Sequence, residues 1–271
     1  MIRRNMQLSD GSSGWLLISQ VEHAHLSGEI ARVWKEPISD EVVAAISHHD
    51  DGWAVWEAAP QIDRRSGTPL SFMEMAITDS MAIWDRSIAS ASTIGPLAGA
   101  IVAGHFIGLT EGSEHASEMA VRTWLRLMYE KRAEWLDKWQ RLSETNTLSM
   151  AENGQAMLLV ADLLSLWLCC DGPVDADVSG GSSNTEMKSR SAMVLGKYRF
   201  ETHSQSAGRA EIAWDGTLMP WPFSKTELQR HASAISVPAA KYDSWPQISA
   251  VCQPVNLYWR LRKTLSAHAE C

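Results

Sequence analysis

Four ionisable side chains follow one another in a segment that otherwise has the composition of a core helix. They are His48, His49, Asp50 and Asp51. Residues three or four apart share one face of a helix, so either His49 or Asp50 lies on the same apolar face as Ile46. A buried carboxylate is costly unless a cation or several hydrogen bonds compensate its charge. An adjacent histidine and aspartate can together bind one metal ion, whereas the structural alternative is a helix end with solvated acids.

Two further ionisable residues stand alone in apolar segments. Asp162 is the only charged residue between Glu152 and Asp171, in a segment apolar on nearly all sides and therefore predicted to be a buried helix. Its place in mid-helix favours a metal ligand over a capping or structural hydrogen bond. His105 is the only ionisable residue from 97 to 109, and each of its ring nitrogens needs a partner if the ring is buried.

One of two histidines near residue 24 is a further candidate ligand. His23 and His25 are two residues apart, so they cannot both face the inner side of one helix. His23 lies nearer the apolar stripe and is predicted to be the inward histidine. A single histidine in a helix is also compatible with an ordinary core or surface position.

Four helices are predicted to position these candidates, and a fifth is predicted to be structural. The helix of the His-Asp pair is expected to have Ser39 or Asp40 as its N-cap and to continue through Trp56 and Glu57. The predicted helices are Trp15–Trp34, residues 40–57, Leu97–Leu109, Glu114–Leu142 and Ala156–Cys170.

The composition changes after residue 172. Residues 173–193 are rich in Gly, Ser and Asn and are predicted to be a flexible loop. Lys197–Thr202 alternates polar and apolar residues like a half-buried strand, and Asp215-Gly216 is typical of a hairpin turn. The predicted fold is mainly α, with a helical metal-binding core over residues 1–172. Residues 194–271 are predicted to be a small C-terminal β-containing appendage packed on this core.

Composition and charge limit the classes of function. The chain has 271 residues, 45% of them hydrophobic, and a net charge of −8, which opposes binding to nucleic acid or to an anionic membrane surface. No segment approaches about 18 uninterrupted apolar residues, and the four cysteines have no disulfide or CxxC spacing. We therefore expect a cytoplasmic protein that acts on a small molecule and could form a homodimer.

The order of the candidate residues resembles that of the HD-domain superfamily, helical metal proteins named for an adjacent His-Asp pair. In that superfamily a histidine on the first helix, the His-Asp pair on the second and an aspartate on a late helix bind the metal. The residues at the matching positions are His23, His49, Asp50 and Asp162, while His105 matches the helix from which two-metal members draw a further histidine. Segments around these residues, with Pro220–Phe223, also resemble an uncharacterised bacterial family of unknown function.

The resemblance implies an HD-type helical bundle that holds one or two divalent ions, with iron or manganese expected. It implies a metal-dependent hydrolase that cleaves a phosphoester of a small molecule. A non-haem di-iron oxygenase is the alternative, and a sensor or scaffold without turnover is the third possibility.

Six residues are predicted to take part in catalysis or substrate binding. His48 or His105 is expected to assist proton transfer, because histidine titrates near neutral pH. The residues expected to contact the substrate are Arg32, Lys35, Trp53 and Arg64, the basic ones through phosphate oxygens.

Overall fold

Strands from widely separated parts of the chain form one large sheet in the computed structural model of the protein. The structure describes residues 1–8, 10–170, 192–195, 198–207 and 211–263. The strands are β1 (Ile2–Gln7), β2 (Ser13–Ile18), β3 (Ile62–Asp63), β4 (Thr68–Pro69), β5 (Ala192–Leu195), β6 (Tyr198–Ala207), β7 (Glu211–Met219), β8 (Glu227–Pro238) and β9 (Gln253–Arg262). β3 and β4 form a separate hairpin, and the other seven strands lie in the order β1-β2-β8-β9-β7-β6-β5. Neighbours in the large sheet are antiparallel except β7 and β9, which are parallel.

Helices make up the rest of the regular structure. They are α1 (Gln20–Arg32), α2 (Asp40–Ser47), α3 (Ala54–Glu57), α4 (Ile77–Ile94), α5 (Pro96–Glu111), α6 (Met119–Gln140), α7 (Leu148–Cys170) and α8 (Trp245–Val251). α4, α5 and α6 pack on one another and, with α2 and α7, enclose an apolar cluster. Its members include Ile46, Ile88, Phe106, Met128 and Leu158.

The sheet packs against α1 and α7. In β9, alternate residues from Val255 to Leu261 are buried, which is the period of a strand with one covered face. They share an apolar cluster with Leu26 of α1 and Leu164 of α7. Because α1 and α7 each carry a candidate metal ligand, the sheet fixes the positions of two parts of the site.

The prediction of a mainly helical bundle with a C-terminal β-containing appendage is wrong. β2 precedes the first helix and pairs with β8, with Trp15 opposite Val237. The C-terminal strands therefore share a sheet with the N-terminal ones, and the fold combines this sheet with the helices. The predicted loop at 173–193 lies almost entirely outside the described residues.

The prediction that the first helix begins at Trp15 is also wrong, because this segment is a strand buried on both faces. Leu16 and Ile18 of β2 pack in the cluster with α1 and α7. Trp15 and Leu17 pack in a smaller cluster on the opposite face. A strand covered on both faces is a continuous apolar run, which periodicity alone does not distinguish from a buried helix. α1 begins only after Ser19, its N-cap.

The hairpin turn predicted at Asp215-Gly216 does not form. β7 runs through both residues, because it lies between β6 and β9 and pairs with a strand on each side. The irregularity is in the neighbouring strand, where the register of β6 shifts between Thr202 and Ser204.

α7 is apolar on nearly all sides because the sheet covers one part of it and the other helices cover another. Among the described residues it is the one helix long and apolar enough to cross a membrane, and half of its most apolar window is buried inside the protein. That burial is consistent with a core helix of a soluble protein. The cytoplasmic location stays a prediction.

Candidate metal centre

The helix that leads to the His-Asp pair ends before it. α2 ends at Ser47, and after a short turn Asp51–Trp53 forms one turn of 3-10 helix. The prediction of one continuous helix over residues 40–57 is therefore wrong. In a turn two adjacent residues can face the same side, and His49 and Asp50 are both buried, with 1% and 6% exposure.

α4, which the sequence did not predict, holds this turn in place through Gly52. The N–H of Gly52 donates to Ser87 Oγ at 3.0 Å, and its carbonyl oxygen accepts from Arg86 Nε at 3.2 Å. A Cβ atom on Gly52 would lie 2.2 Å from the carbonyl oxygen of Ile83. Only glycine therefore allows α4 to approach the turn this closely.

Four buried side chains from α1, the turn and α7 meet at one point. Asp162 Oδ1 lies 3.0 Å from His23 Nε2 and 3.3 Å from His49 Nε2. Asp50 Oδ2 lies 3.6 Å from the first of these nitrogens and 3.8 Å from the second. One ligand atom from each of His23, His49 and Asp162 lies within 4.8 Å of the others, so the group could hold a metal ion. We call these four residues the buried centre.

Both histidines of the buried centre are held by their other ring nitrogen. His49 Nδ1 lies 2.8 Å from the carbonyl oxygen of Ile46. A carbonyl only accepts, so Nδ1 carries a proton and Nε2 is the nitrogen that faces the carboxylates, where it can bind a metal ion once it has lost its own proton. His23 Nδ1 lies 2.6 Å from Ser165 Oγ, which is 2.6 Å from Ser27 Oγ, and this second serine donates to the carbonyl oxygen of His23. Partners of this kind orient metal-binding histidines.

His105 of α5 lies near the second carboxylate oxygen of Asp162. Its Nε2 lies 3.8 Å from Asp162 Oδ2, and its ring meets the ring of His49 edge-on, with the centroids 5.5 Å apart. The side chain is buried. The structure therefore brings all five predicted ligands together, with His105 next to the buried centre rather than within it.

Without a bound ion, burial and the two aspartates set the protonation of these groups. Burial lowers the pKa of His49, but Asp50 and Asp162 outweigh it and raise this pKa to about 9. The pKa of His23 is raised in the same way. Burial lowers the pKa of His105 to about 4. Burial would raise the pKa of Asp162, but hydrogen bonds from His23 and His49 hold this pKa well below its usual range. Protons on histidine then supply the positive charge that the aspartates need.

The donor set fits a divalent metal ion in type and charge, and the spacing fits for His23, His49 and Asp162. Two ligand atoms bound at about 2.1 Å are about 3.0 Å apart at a right angle and about 3.4 Å apart at a tetrahedral angle. The distances from Asp162 to the two histidine nitrogens, 3.0 and 3.3 Å, lie in this range, whereas those from Asp50, 3.6 and 3.8 Å, are longer. Two carboxylates with two neutral histidines carry the charge that a divalent ion neutralises, and mixed imidazole and carboxylate ligands suit iron, manganese and zinc.

The residues predicted to bind substrate are not gathered at the buried centre. Arg32, Lys35 and Arg64 are exposed, and among the described residues no hydrogen bond or ion pair connects them to it. Trp53 is buried and meets the ring of Trp56 edge-on, with the centroids 5.6 Å apart. Trp53 therefore has a packing role that accounts for its burial, and substrate binding by these four residues stays a prediction.

His48 lies outside the buried centre, in a second group. Its Nδ1 is 3.1 Å from Asp51 Oδ2, and its ring meets that of His25 edge-on, with the centroids 5.8 Å apart. We call His25, His48 and Asp51 the outer cluster. As predicted, His23 faces inward and His25 faces outward.

Sequence reasoning missed the hydroxyl groups that support the buried centre. Ser27 follows His23 by four residues and Ser165 follows Asp162 by three. That spacing places each serine on the same helix face as the ligand before it, so it was a usable signal. The hydroxyl of Ser87 gave no such signal, because it belongs to a helix that was not predicted.

Comparison with known proteins identifies one family that the chain matches. The model of DUF3891, described as a protein of unknown function, matches residues 1–239. The match includes the whole buried centre and every element from β1 to β8. No curated protein and no solved structure matches the chain. Because the match covers most of its length, the chain belongs to the DUF3891 family.

Proposed function

We propose that this DUF3891 protein is a metal-dependent hydrolase that cleaves a phosphoester bond of a small molecule. The observation that supports the proposal most directly is the convergence of two histidine Nε2 atoms on two buried carboxylates. The reaction class comes from the resemblance to the HD-domain superfamily, in which the same residue types occur in the same order and phosphohydrolysis is the commonest activity.

The buried centre would hold the ion, and we propose iron or manganese. His23 and His49 would bind through Nε2, since the Nδ1 of each is engaged elsewhere, and Asp50 and Asp162 would bind through oxygen. A bound divalent ion lowers the pKa of a coordinated water and polarises a phosphoryl oxygen. These four side chains supply charge and orientation, and they shield the site from bulk water.

His105 is the residue that we propose to receive a proton from the attacking water. It stands beside the ligand atoms, 3.8 Å from Asp162 Oδ2, which places its Nε2 close to a water bound at the buried centre. His48, the other predicted proton carrier, belongs to the outer cluster and is partly exposed.

A di-iron oxygenase is the alternative reaction, and one observation favours keeping it. His105 lies close enough to Asp162 to contribute to a second metal position, and histidine with carboxylate is a ligand set that iron accepts. The number of metal ions bound at the buried centre distinguishes the two reactions.

The first test is the metal content of protein purified without chelator, measured by elemental analysis. Wild type is expected to carry about one iron or manganese per chain, and Asp50→Ala is expected to carry none, because it removes one of the two carboxylates. Asp137→Ala is the control, since it removes an exposed carboxylate of α6 that pairs with Arg141 and belongs to neither the buried centre nor the outer cluster. About two irons per chain, both absent from Asp50→Ala, together with O₂ consumption would favour the oxygenase.

The second test is hydrolysis of a panel of phosphomonoesters and phosphodiesters by the loaded protein. The proposal predicts turnover that is lost in Asp50→Ala and kept in Asp137→Ala. Wild type that binds no metal after reconstitution with Fe²⁺ or Mn²⁺ would contradict the metal centre itself. Wild type that binds metal but cleaves no member of the panel would contradict only the reaction class.

A further inference from the structure

We propose that the outer cluster is a second cation site, separate from the buried centre, that binds a divalent ion of the Zn²⁺ class. One ligand atom from each of His25, His48 and Asp51 lies within 4.8 Å of the others. The set of two histidines and one carboxylate is one that Zn²⁺ and its neighbours in the first transition row accept. This inference does not depend on the proposed hydrolase activity.

The spacing of His48 and Asp51 is that of two ligands on one ion, and a ligand atom of His25 lies within 4.8 Å of both. His48 Nδ1 lies 3.1 Å and 3.3 Å from the two carboxylate oxygens of Asp51. Ligand atoms bound at about 2.1 Å and separated by a tetrahedral or right angle are about 3.0 to 3.4 Å apart. His25 comes from α1, so the site joins this helix to the turn that follows α2.

A hydroxyl group holds the carboxylate in place. Ser90 of α4 donates to Asp51 Oδ2 at 3.0 Å, which fixes the orientation of the carboxylate and leaves lone pairs on both oxygens. A partner that positions a ligand from behind is characteristic of metal sites. The support therefore comes from α4, the same helix that holds Gly52.

Exposure of the outer cluster leaves room for water to complete the coordination. His25 is exposed, and the side chains of His48 and Asp51 are 42% and 27% exposed. Three protein ligands with water in the remaining position is the arrangement of an open zinc site. An ion bound there is in exchange with solvent, so it binds more weakly than one in the buried centre.

An exposed histidine beside carboxylates elsewhere in the chain shows what the outer cluster has in addition. His115 Nδ1 lies 2.6 Å from Glu118 Oε1, and Glu114 is also within ion-pair distance. This group has one histidine, whereas the outer cluster has two from different elements. His115→Ala is therefore a matched control, because it removes an exposed histidine with a carboxylate partner three residues away.

The test is Zn²⁺ binding by the full chain, measured by equilibrium dialysis and elemental analysis on wild type, His25→Ala, His48→Ala and His115→Ala. At the same concentration of free Zn²⁺, we expect wild type and His115→Ala to bind one more Zn²⁺ per chain than His25→Ala and His48→Ala. Ser90→Ala should keep this ion with affinity about tenfold lower. Circular dichroism checks that each variant is folded, and His25 is exposed, so its substitution leaves the core unchanged.

Equal Zn²⁺ uptake by wild type and His25→Ala would overturn the proposal. So would a loss of Zn²⁺ in His115→Ala as large as that in His25→Ala. The result is distinguishable from failure of the proposed function, because that failure appears in Asp50→Ala and in the phosphoester panel. A Co²⁺ titration followed by visible absorption gives an independent readout: the absorption of the outer ion should be missing from His25→Ala.

Discussion

The buried centre and the outer cluster are built from the same residue types, on the same helix and the same turn, yet their surroundings differ. His49 and His48 are neighbours, and the first is buried while the second is partly exposed. In the buried centre every ring nitrogen and carboxylate must find a partner within the protein, whereas water can serve the outer cluster. The comparison shows that burial, rather than residue type, decides how strongly a group of histidine and aspartate needs a cation.

The largest difference is expected when each group loses a carboxylate. Asp162→Asn removes the charge that faces His23 and His49, and breaking a buried ion pair lowers the free energy of unfolding by about 3–5 kcal/mol. Asp51→Asn should change it by less than about 1 kcal/mol, because its partner is exposed to water. Urea unfolding of both variants at neutral pH measures the difference. Equal losses would mean that the two groups are equally solvated.

In the absence of metal, the stability of the protein should depend on pH through His49 of the buried centre and through His105 beside it. The two histidines should give the free energy of unfolding opposite slopes against pH. His49 has a pKa of about 9 against 6.5 when unfolded, so its stabilisation is present below pH 6.5 and is lost as the pH rises through 9. His105 has a pKa of about 4, so the unfolded chain takes up its proton first and stability falls as the pH drops from 6.5 towards 4.

Urea unfolding of chelator-treated protein across this pH range tests both slopes. His105→Gln should remove the acid-side fall and keep the alkaline one. A wild-type profile that is flat on the acid side would contradict the assignment of a neutral buried His105.

Gly52→Ala should disturb both groups together, because the turn carries members of each. The new Cβ would lie 2.2 Å from the carbonyl oxygen of Ile83, so α4 or the turn must shift, at a cost of about 1–3 kcal/mol in the free energy of unfolding. Gly108→Ala is the control: nothing lies within 4 Å of the added atom, and alanine favours the helix by up to about 1 kcal/mol. Thermal unfolding of the two variants should move in opposite directions.

The smallest expected effect concerns the serine that orients His23. Ser165→Ala removes the partner of Nδ1 and should weaken metal binding at the buried centre by about tenfold while leaving Zn²⁺ binding at the outer cluster as it is. Ser92→Ala is the control, since this partly exposed serine of α4 donates to the carbonyl oxygen of Ala89 in its own helix. Metal titration in competition with a chelator measures the change. The same weakening in both variants would contradict a role for Ser165 in orientation.

The residues of the buried centre were predictable because each is an ionisable group in an apolar segment. Asp162 and His105 each stand alone in a long apolar segment, and His23 lies beside the apolar stripe of its helix, so burial of all three follows from the sequence. Ser39 is the N-cap of α2, one of the two positions predicted. Local signals of this kind depend on neighbours in the sequence, so a single chain contains them.

The sheet, the turn and α4 were not predictable in the same way. β2 is apolar on both faces, so its period gave no indication of a strand. The break after Ser47 depends on Gly52 fitting against α4, a contact between residues about 35 positions apart. Such features depend on partners that are remote in sequence, and for this reason the mainly helical prediction failed although the candidate ligands lie together as expected; that they bind a metal stays a prediction.

The pairing of β2 with β8 has a consequence for the order in which the protein assembles. Helices such as α1 and α7 form from local contacts, but the sheet that fixes them closes only when Trp15 meets Val237. Contacts between residues so far apart form late in folding, because a long loop must first be closed. His23 and Asp162 therefore approach each other near the end of folding, so an ion bound at the proposed metal site would enter an almost finished protein rather than a growing chain.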